Sequence, residues 1–362
     1  MTVRVLAAAS PGEMRVAAVR DGELLDYAID RPGAPDGVGD IYRGRVRARA
    51  PALGGVFVAL PGAADGFLPD TEGGKGLTEG AVLSVCVTRA AQGGKGPRLS
   101  ARLAPGQAGG EGPQGLVRRG PGAVERLAAR YPDAAVCVDD QVVLAALRPI
   151  LGGRLVLESP AFDDALLGAI EDLARPCLDL PGGARLSFHP TPALVAIDVD
   201  SGGAAGSHLA VNRTLLPGLA RQIRLRNLSG AILVDLAGLP VRRRASLGPA
   251  LAAALAEDPA HPRLLGFTAL GLAEIVRPRV HPPLHELLAG AHAAGLAALR
   301  AIAAAVAADP AHMPGLRAAP GVVRALEQDG AALGDLARRT GRALMLRSDP
   351  SLAGDQWIME GA

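Results

Sequence analysis

Hydrophobic positions follow different rhythms in different parts of this chain. In Leu194-Val195-Ala196-Ile197-Asp198 and Ala231-Ile232-Leu233-Val234-Asp235, branched aliphatics run without a break, are bounded by Pro or Gly, and end on an aspartate. Each run predicts a strand buried on both faces of a parallel sheet. The stretch between them, Asn212 to Asn227, reads as a helix, shortened at Pro217 because proline is tolerated only in a first turn. Strand, helix and strand then make a right-handed crossover that leaves Asp198 and Asp235 near the carboxyl edge of neighbouring strands, where open α/β sheets hold ligands. From Asp40 to Pro69 the rhythm is instead short and alternating: Ile41-Tyr42-Arg43-Gly44-Arg45-Val46, Gly55-Val56-Phe57-Val58-Ala59-Leu60 and Gly66-Phe67-Leu68-Pro69 predict a small β-barrel. The alanine-rich stretch Leu288 to Ala308 predicts one or two packing helices.

At 362 residues, 49% of them apolar, the chain has material for two or three domains with full cores. No apolar run reaches the roughly 18 residues that span a bilayer, and Met1-Thr2-Val3-Arg4-Val5-Leu6 lacks the layout of a secretion signal, so the expected location is the cytoplasm. Cys86, Cys137 and Cys177 are odd in number and far apart, which excludes a disulfide framework or a CxxC zinc site and reads as buried thiols.

A net charge of +2 does not by itself imply a nucleic-acid partner. Clustering says more. Arg43, Arg45, Arg47 and Arg49 alternate along one predicted strand and share a face, which is either a solvated face or a track for a phosphate backbone. Aromatics are only 2% of the chain, yet Tyr42, Phe57 and Phe67 fall within the barrel stretch. OB-type barrels bind single strands by stacking bases on exposed aromatics beside a basic groove, which makes Tyr42, Phe57, Phe67 and Arg43 candidates for RNA binding.

Two carboxylates held close together repel unless a cation lies between them. Hard Mg²⁺ or Mn²⁺ binds through one or two carboxylates plus phosphate oxygens, so Asp198 and Asp235 are candidate metal ligands and catalytic residues. An aspartate at a strand end serves equally well as an N-cap. The acidic, glycine-rich run Asp198-Val199-Asp200-Ser201-Gly202-Gly203, and a following helix that carries Arg213, Arg221, Arg224 and Arg226, favour a site for a metal and a polyanion together. Arg221 and Arg224 are the candidate phosphate contacts. No glycine-rich phosphate loop of the P-loop or dinucleotide type precedes a helix, which leaves a phosphatase or nucleotide-binding enzyme little support.

Several ordered segments resemble the ribonuclease E/G family of endoribonucleases. Pro11-Gly12-Glu13-Met14-Arg15-Val16-Ala17, the barrel strands and Gly94-Lys95-Gly96-Pro97-Arg98-Leu99-Ser100 are similar to the family's opening and its S1-type RNA-binding insert. The strongest likeness joins Ala196-Ile197-Asp198-Val199-Asp200-Ser201-Gly202 to the stretch from Ala220 to Asp235. The resemblance implies an α/β multi-subdomain protein. An RNase H-like subdomain (1–37 and 123–185) would carry an inserted S1, OB-type barrel (38–103) and a linker with a reduced 5′-sensor (104–122). A DNase I-like catalytic subdomain (186–290) and a C-terminal helical and α/β region (291–362) would follow. In that last region, Leu326, Leu333, Leu336, Leu344 and Leu346 supply core positions for a helix and a following strand.

The resemblance further implies Mg²⁺-dependent hydrolysis of single-stranded RNA through Asp198 and Asp235, leaving 5′-phosphate and 3′-hydroxyl ends. Phe57 and Phe67 would stack on the RNA, and Lys95 would position it. Asp200 replaces the family's Asn and either adds a ligand or repels the phosphate. Thr214, Pro217, Gly218 and Gly238 stand where the family tends to carry carboxylates, so an RNA-binding relative with weak or lost cleavage is the alternative. Arg119 aligns with the family's 5′-phosphate-reading arginine, but Gly120 replaces a Thr. His281-Pro282-Pro283-Leu284-His285 stands where a CPxC zinc link is common, so no zinc link is expected in any homo-oligomer, and His281 and His285 read as surface residues.

Overall fold

The computed structural model describes residues 2–107, 112–180, 182–203, 206–236 and 238–361. The chain opens with a meander of β1 (Val3–Ser10), β2 (Glu13–Arg20) and β3 (Glu23–Asp30). The turn from β2 to β3 places Asp21 and Gly22 at φ of 51° and 80°, the two left-handed residues that an Asp-Gly hairpin turn requires.

After β3 the chain leaves this sheet and builds the barrel. Its strands are β4 (Ile41–Ala50), β5 (Gly55–Ala59), β6 (Gly66–Pro69), β7 (Val82–Arg89) and β8 (Arg98–Ser100). They close in the order β4-β5-β6-β8-β7-β4, with a parallel contact only between β6 and β8. Alternate residues Val46, Val56, Val58, Leu68, Val85, Val87 and Leu99 fill the interior. This closed five-stranded barrel is of the expected OB type. A sixth strand, β9 (Gly115–Arg118), lies in the stretch expected to be linker and pairs with β4 beside the closure. Residues 108–111 of that stretch lie outside the described residues.

The chain then returns to the first sheet through α1 (Ala123–Arg130), β10 (Ala135–Val138), α2 (Gln141–Leu151) and β11 (Leu155–Leu157), giving the order β11-β10-β1-β2-β3. Residues on alternate sides of β1 feed two different cores, Val5 and Ala7 against α1, Leu6 and Ala8 against α3 (Asp164–Ala174).

A second open sheet follows: β12 (Cys177–Asp179), β13 (Arg185–Pro190), β14 (Val195–Asp200), α4 (His208–Leu225), β15 (Gly230–Asp235), α5 (Val241–Arg244), α6 (Gly248–Leu255), β16 (Arg263–Phe267) and β17 (Ala273–Arg277). Two strands that the expected boundary assigned elsewhere or split, β12 and the first residue of β13, belong to it. Its order is β12-β13-β14-β15-β17-β16, and only β14 and β15 run parallel. The expectation of strands buried on both faces is therefore corrected. Val195, Ile197, Val199, Ile232 and Val234 pack against α4 and α6, while Asp198, Asp200, Ala231 and Asp235 are exposed on the other face. Helix α4 also runs straight through Pro217, because Leu215, Leu216, Leu219, Ala220 and Ile223 on both sides of it are buried on the sheet and hold the helix where one backbone hydrogen bond is lost.

The C-terminal region comprises α7 (Leu284–Leu287), α8 (Gly290–Ala308), β18 (Gly315–Ala318), α9 (Pro320–Gln328), α10 (Gly330–Thr340), β19 (Leu346–Ser348) and β20 (Trp357–Glu360). Among the described residues, α8 alone is long and apolar enough to cross a membrane, and its Leu296, Leu299 and Ile302 are fully buried against this region's core. The cysteines differ from the expected buried thiols: Cys137 is buried, Cys86 half-buried and Cys177 exposed.

Candidate nuclease site

Asp198 and Asp235 are register partners on the parallel strands β14 and β15. Adjacent strands lie about 4.8 Å apart and side chains alternate between faces, so both carboxylates project from one face at the same level. The row continues across the sheet as Cys177, Ser187, Asp198 and Asp235. Asp235 does not stand alone: Arg244 donates to its Oδ1 at 2.5 Å. Arg244 is itself fixed by donating from Nε to the Leu239 carbonyl at 2.9 Å, and its side chain is only 14% exposed against 51% for Asp235.

Asp200 lies two residues along the same face and opposite Arg185, which forks onto Asp179 at 2.6 and 3.3 Å. Its Oδ1 accepts the Gly202 N–H at 2.8 Å and shapes the turn after β14. Among the described residues no group of three or more His, Cys, Asp or Glu side chains is arranged around one point. Gly238 has a φ of +60°, and a Cβ there would come 2.4 Å from His208 Nδ1. A carboxylate at 238 is thus excluded by both backbone and neighbour; Ala237 beside it lies outside the described residues.

Arg221 and Arg224 of α4 do not face this edge. Arg221 donates to the Leu24 carbonyl at 2.9 and 2.5 Å and pairs with Glu23 at 2.6 Å. Arg224 reaches the Leu25 carbonyl at 3.2 Å and Asp26 at 3.5 Å. Arg226 caps carbonyls of Asp172 and Arg175 and stacks on Phe188 at 4.0 Å, and burial lowers its pKa to about 10. The reading of Arg221 and Arg224 as phosphate contacts is corrected: their face binds the β2–β3 hairpin to the second sheet.

On the barrel, Phe57 and Phe67 are cross-strand partners on its outer surface, half-buried, with ring centroids 5.5 Å apart and planes tilted by 60°. Gly55 makes room for this, since a Cβ there would meet the Phe67 ring at 2.7 Å. Lys95 is exposed on the loop between β7 and β8. Tyr42 is 5% exposed and belongs to the barrel core, so its reading as an RNA-stacking residue is corrected. Arg43 is half-buried on the same strand; Arg45, Arg47 and Arg49 are exposed, with Arg45 held by the Gly80 carbonyl at 3.2 Å and Arg47 paired with Asp65 at 2.6 Å.

Arg119 donates to Asp40 at 2.6 Å, and the same buried carboxylate accepts the Gly120 N–H at 2.7 Å. A Cβ at Gly120 would lie 2.3 Å from the Val38 carbonyl oxygen, so this backbone has no room for the Thr expected there. Arg119 borders a cavity of about 890 Å³ in which Asp26, Asp30, Asp36 and Asp40 each have a basic partner. His281, expected at the surface, bonds to Asp36 at 2.6 Å across the cavity.

The structure brings Asp198 and Asp235 together and pairs Phe57 with Phe67, and it adds the Arg244 contact, which the sequence pattern does not specify. The only available signal was the Arg242-Arg243-Arg244 run closely following the second strand. The sequence model of the Ribonuclease E/G family matches residues 156–280, which span the whole second sheet and both aspartates. Ribonuclease E of a Nostoc species is 36% identical over 126 residues, covering 33% of this chain and 18% of that protein. Ribonuclease G of Haemophilus influenzae is 30% identical over 155 residues (39% and 31%), and ribonuclease E of Escherichia coli 31% identical over 157 residues (40% and 15%). The chain thus spans less than a third of the length of the curated relatives it matches. Over residues 156–280, this chain is thus similar to the ribonuclease E/G family.

Proposed function

We propose that this protein is a divalent-metal-dependent endoribonuclease acting on single-stranded RNA, with Asp198 and Asp235 as the metal-holding and catalytic residues. The observation that carries the reading is their pairing in register on one open, solvent-facing side of the sheet. Two carboxylates with room for water and a substrate phosphate fit Mg²⁺, or Mn²⁺, which take oxygen ligands and do not need an all-protein cage. Such an ion, when bound, would lower the pKa of a water and offset charge developing on the phosphodiester.

The chain's own groups supply the rest. Asp198 and Asp235 would hold the ion at this edge of the sheet. Arg244, seated on Asp235, would have to give up that carboxylate to the ion before its charge could serve a developing oxyanion. The outward pair Phe57 and Phe67 offers stacking faces to unpaired bases, and Lys95 a cation to the backbone. Asp200 serves the turn through Gly202 and is at most an outer neighbour of the ion. Arg119, already engaged by Asp40, would read a 5′-phosphate only by sharing that carboxylate.

A second reading, an RNA-binding relative that has lost efficient cleavage, is favoured by one observation, the Arg244 side chain seated on Asp235. End-labelled AU-rich single-stranded RNA, incubated with Mg²⁺ or EDTA and with an Asp198→Ala, Asp235→Ala double variant of unchanged circular dichroism, separates the two. Metal-dependent cutting lost in the variant supports the nuclease; binding without cutting supports the relative.

A further inference from the structure

Asp198 and Asp235 share one level of the sheet but not one environment. Among the described residues Asp198 has no basic partner, whereas Arg244 donates to Asp235 Oδ1 at 2.5 Å. Arg244 comes from the single turn Val241–Arg244 that follows β15, and two carbonyls steady it, Leu239 at 2.9 Å from Nε and Gly271 at 3.4 Å from Nη1. Gly271 lets that turn lie close against the β16–β17 loop: at its φ of +83°, a Cβ would stand 2.9 Å from Arg244 Cδ and 3.3 Å from Val241 Cα. The arginine is therefore packed in place, 14% exposed, while the carboxylate it holds stays 51% exposed. An ion pair open to water on one side is readily exchanged for another partner.

The same turn carries two further guanidiniums. Successive residues of a helical turn point in different directions, and Arg242 and Arg243 are both exposed, with no carboxylate partner among the described residues. One arginine thus closes the aspartate edge while its two neighbours face solvent. A guanidinium fork takes phosphate oxygens in pairs, and a nucleic-acid strand presents several phosphates at once.

We propose that this turn is a latch on Asp235 that RNA opens. Phosphates of the strand take up Arg242 and Arg243, a phosphate oxygen replaces the Asp235 carboxylate as the acceptor of Arg244, and the released carboxylate joins Asp198 in holding the divalent ion. RNA and ion then bind cooperatively, each tightening the other by the same factor. The proposal rests on the reading of Asp198 and Asp235 as ion ligands and adds the regulation of that site by its own substrate.

The test is a calorimetric Mn²⁺ titration of the full chain, alone and saturated with a 2′-O-methylated single-stranded RNA shown on a gel to stay intact. It compares the wild type, Arg244→Gln, and an Arg242→Gln, Arg243→Gln double variant. In the wild type the strand should tighten Mn²⁺ binding about tenfold, within the usual range of coupling between two sites. In Arg244→Gln the gain should fall below about threefold, because Asp235 is free before the strand arrives. The double variant should bind Mn²⁺ alone as the wild type does, yet show a strand-induced gain below about threefold. Both of its substitutions are at exposed positions, so it decides should Arg244→Gln not fold. An equal gain in all three chains would overturn the latch and leave the ion site intact. Absence of Mn²⁺ binding by the wild type, with and without the strand, would overturn the ion site and the latch with it.

Discussion

Arg244 holds the Asp235 carboxylate at 2.5 Å, from a side chain anchored to the Leu239 carbonyl. The guanidinium therefore occupies one of the two carboxylates that a divalent cation would use, and the two cations compete for it. Arg244→Gln should bind Mn²⁺ about three- to tenfold more tightly in a calorimetric titration, and Asp235→Asn should abolish that gain. Weaker binding in Arg244→Gln would mean that the arginine assists the ion.

The aromatic residues of the barrel divide by face. Phe67→Ala should cost about 1–3 kcal/mol of RNA binding, the worth of one stacked base, with little change in melting temperature. Tyr42→Phe should leave RNA binding unchanged, because its ring lies in the core. Equal losses of affinity in the two variants would refute the division.

Arg221 belongs to the contact between sheets. Arg221→Ala should lower the melting temperature by about 2–4 °C through the lost bonds to Leu24, while the salt slope of RNA binding stays as in the wild type. A fall of one in that slope, with stability kept, would return Arg221 to the phosphate contacts.

The Asp36 and His281 pair makes stability depend on acidity. Burial pushes the Asp36 carboxyl up, but the hydrogen bond and charge of His281 and the Val38 N–H outweigh it, so the net direction is down. A depressed carboxyl stabilises the fold above the ordinary aspartate range and loses that contribution as pH falls through its lowered value. His281→Ala should melt below the wild type at pH 5, and the gap should close progressively toward strong acid. A gap that persists in strong acid would refute the linkage.

Continuous branched runs ending in aspartate sufficed to place Asp198 and Asp235 side by side, because a parallel strand pair joined by one helix leaves little freedom of register. The barrel was legible for a similar reason, since Val56, Val58 and Leu68 alternate with outward residues. The direction of the α4 arginines was not legible. Helical spacing assigns Arg221 and Arg224 to one side of the helix, but which neighbour that side meets depends on the β2–β3 hairpin, nearly 200 residues away. The open face of the sheet was misread because Ala231 and Leu233 look like core residues in a pattern and yet line the exposed side or its margin. Pro217 misled for the opposite reason, local propensity yielding to the burial of Leu216 and Leu219.

The first sheet is assembled from two distant stretches, β1 to β3 and β10 to β11, so that Arg4 meets Cys137 across 133 residues. On a ribosome adding about 5–20 residues per second, β1 waits roughly 7–25 seconds for its parallel neighbour. The barrel, whose strands are all near one another in sequence, emerges during that interval and can close first. Synthesis thus exposes an apolar β1 edge for seconds, and chaperone demand during translation should concentrate on residues 3–30 rather than on the barrel.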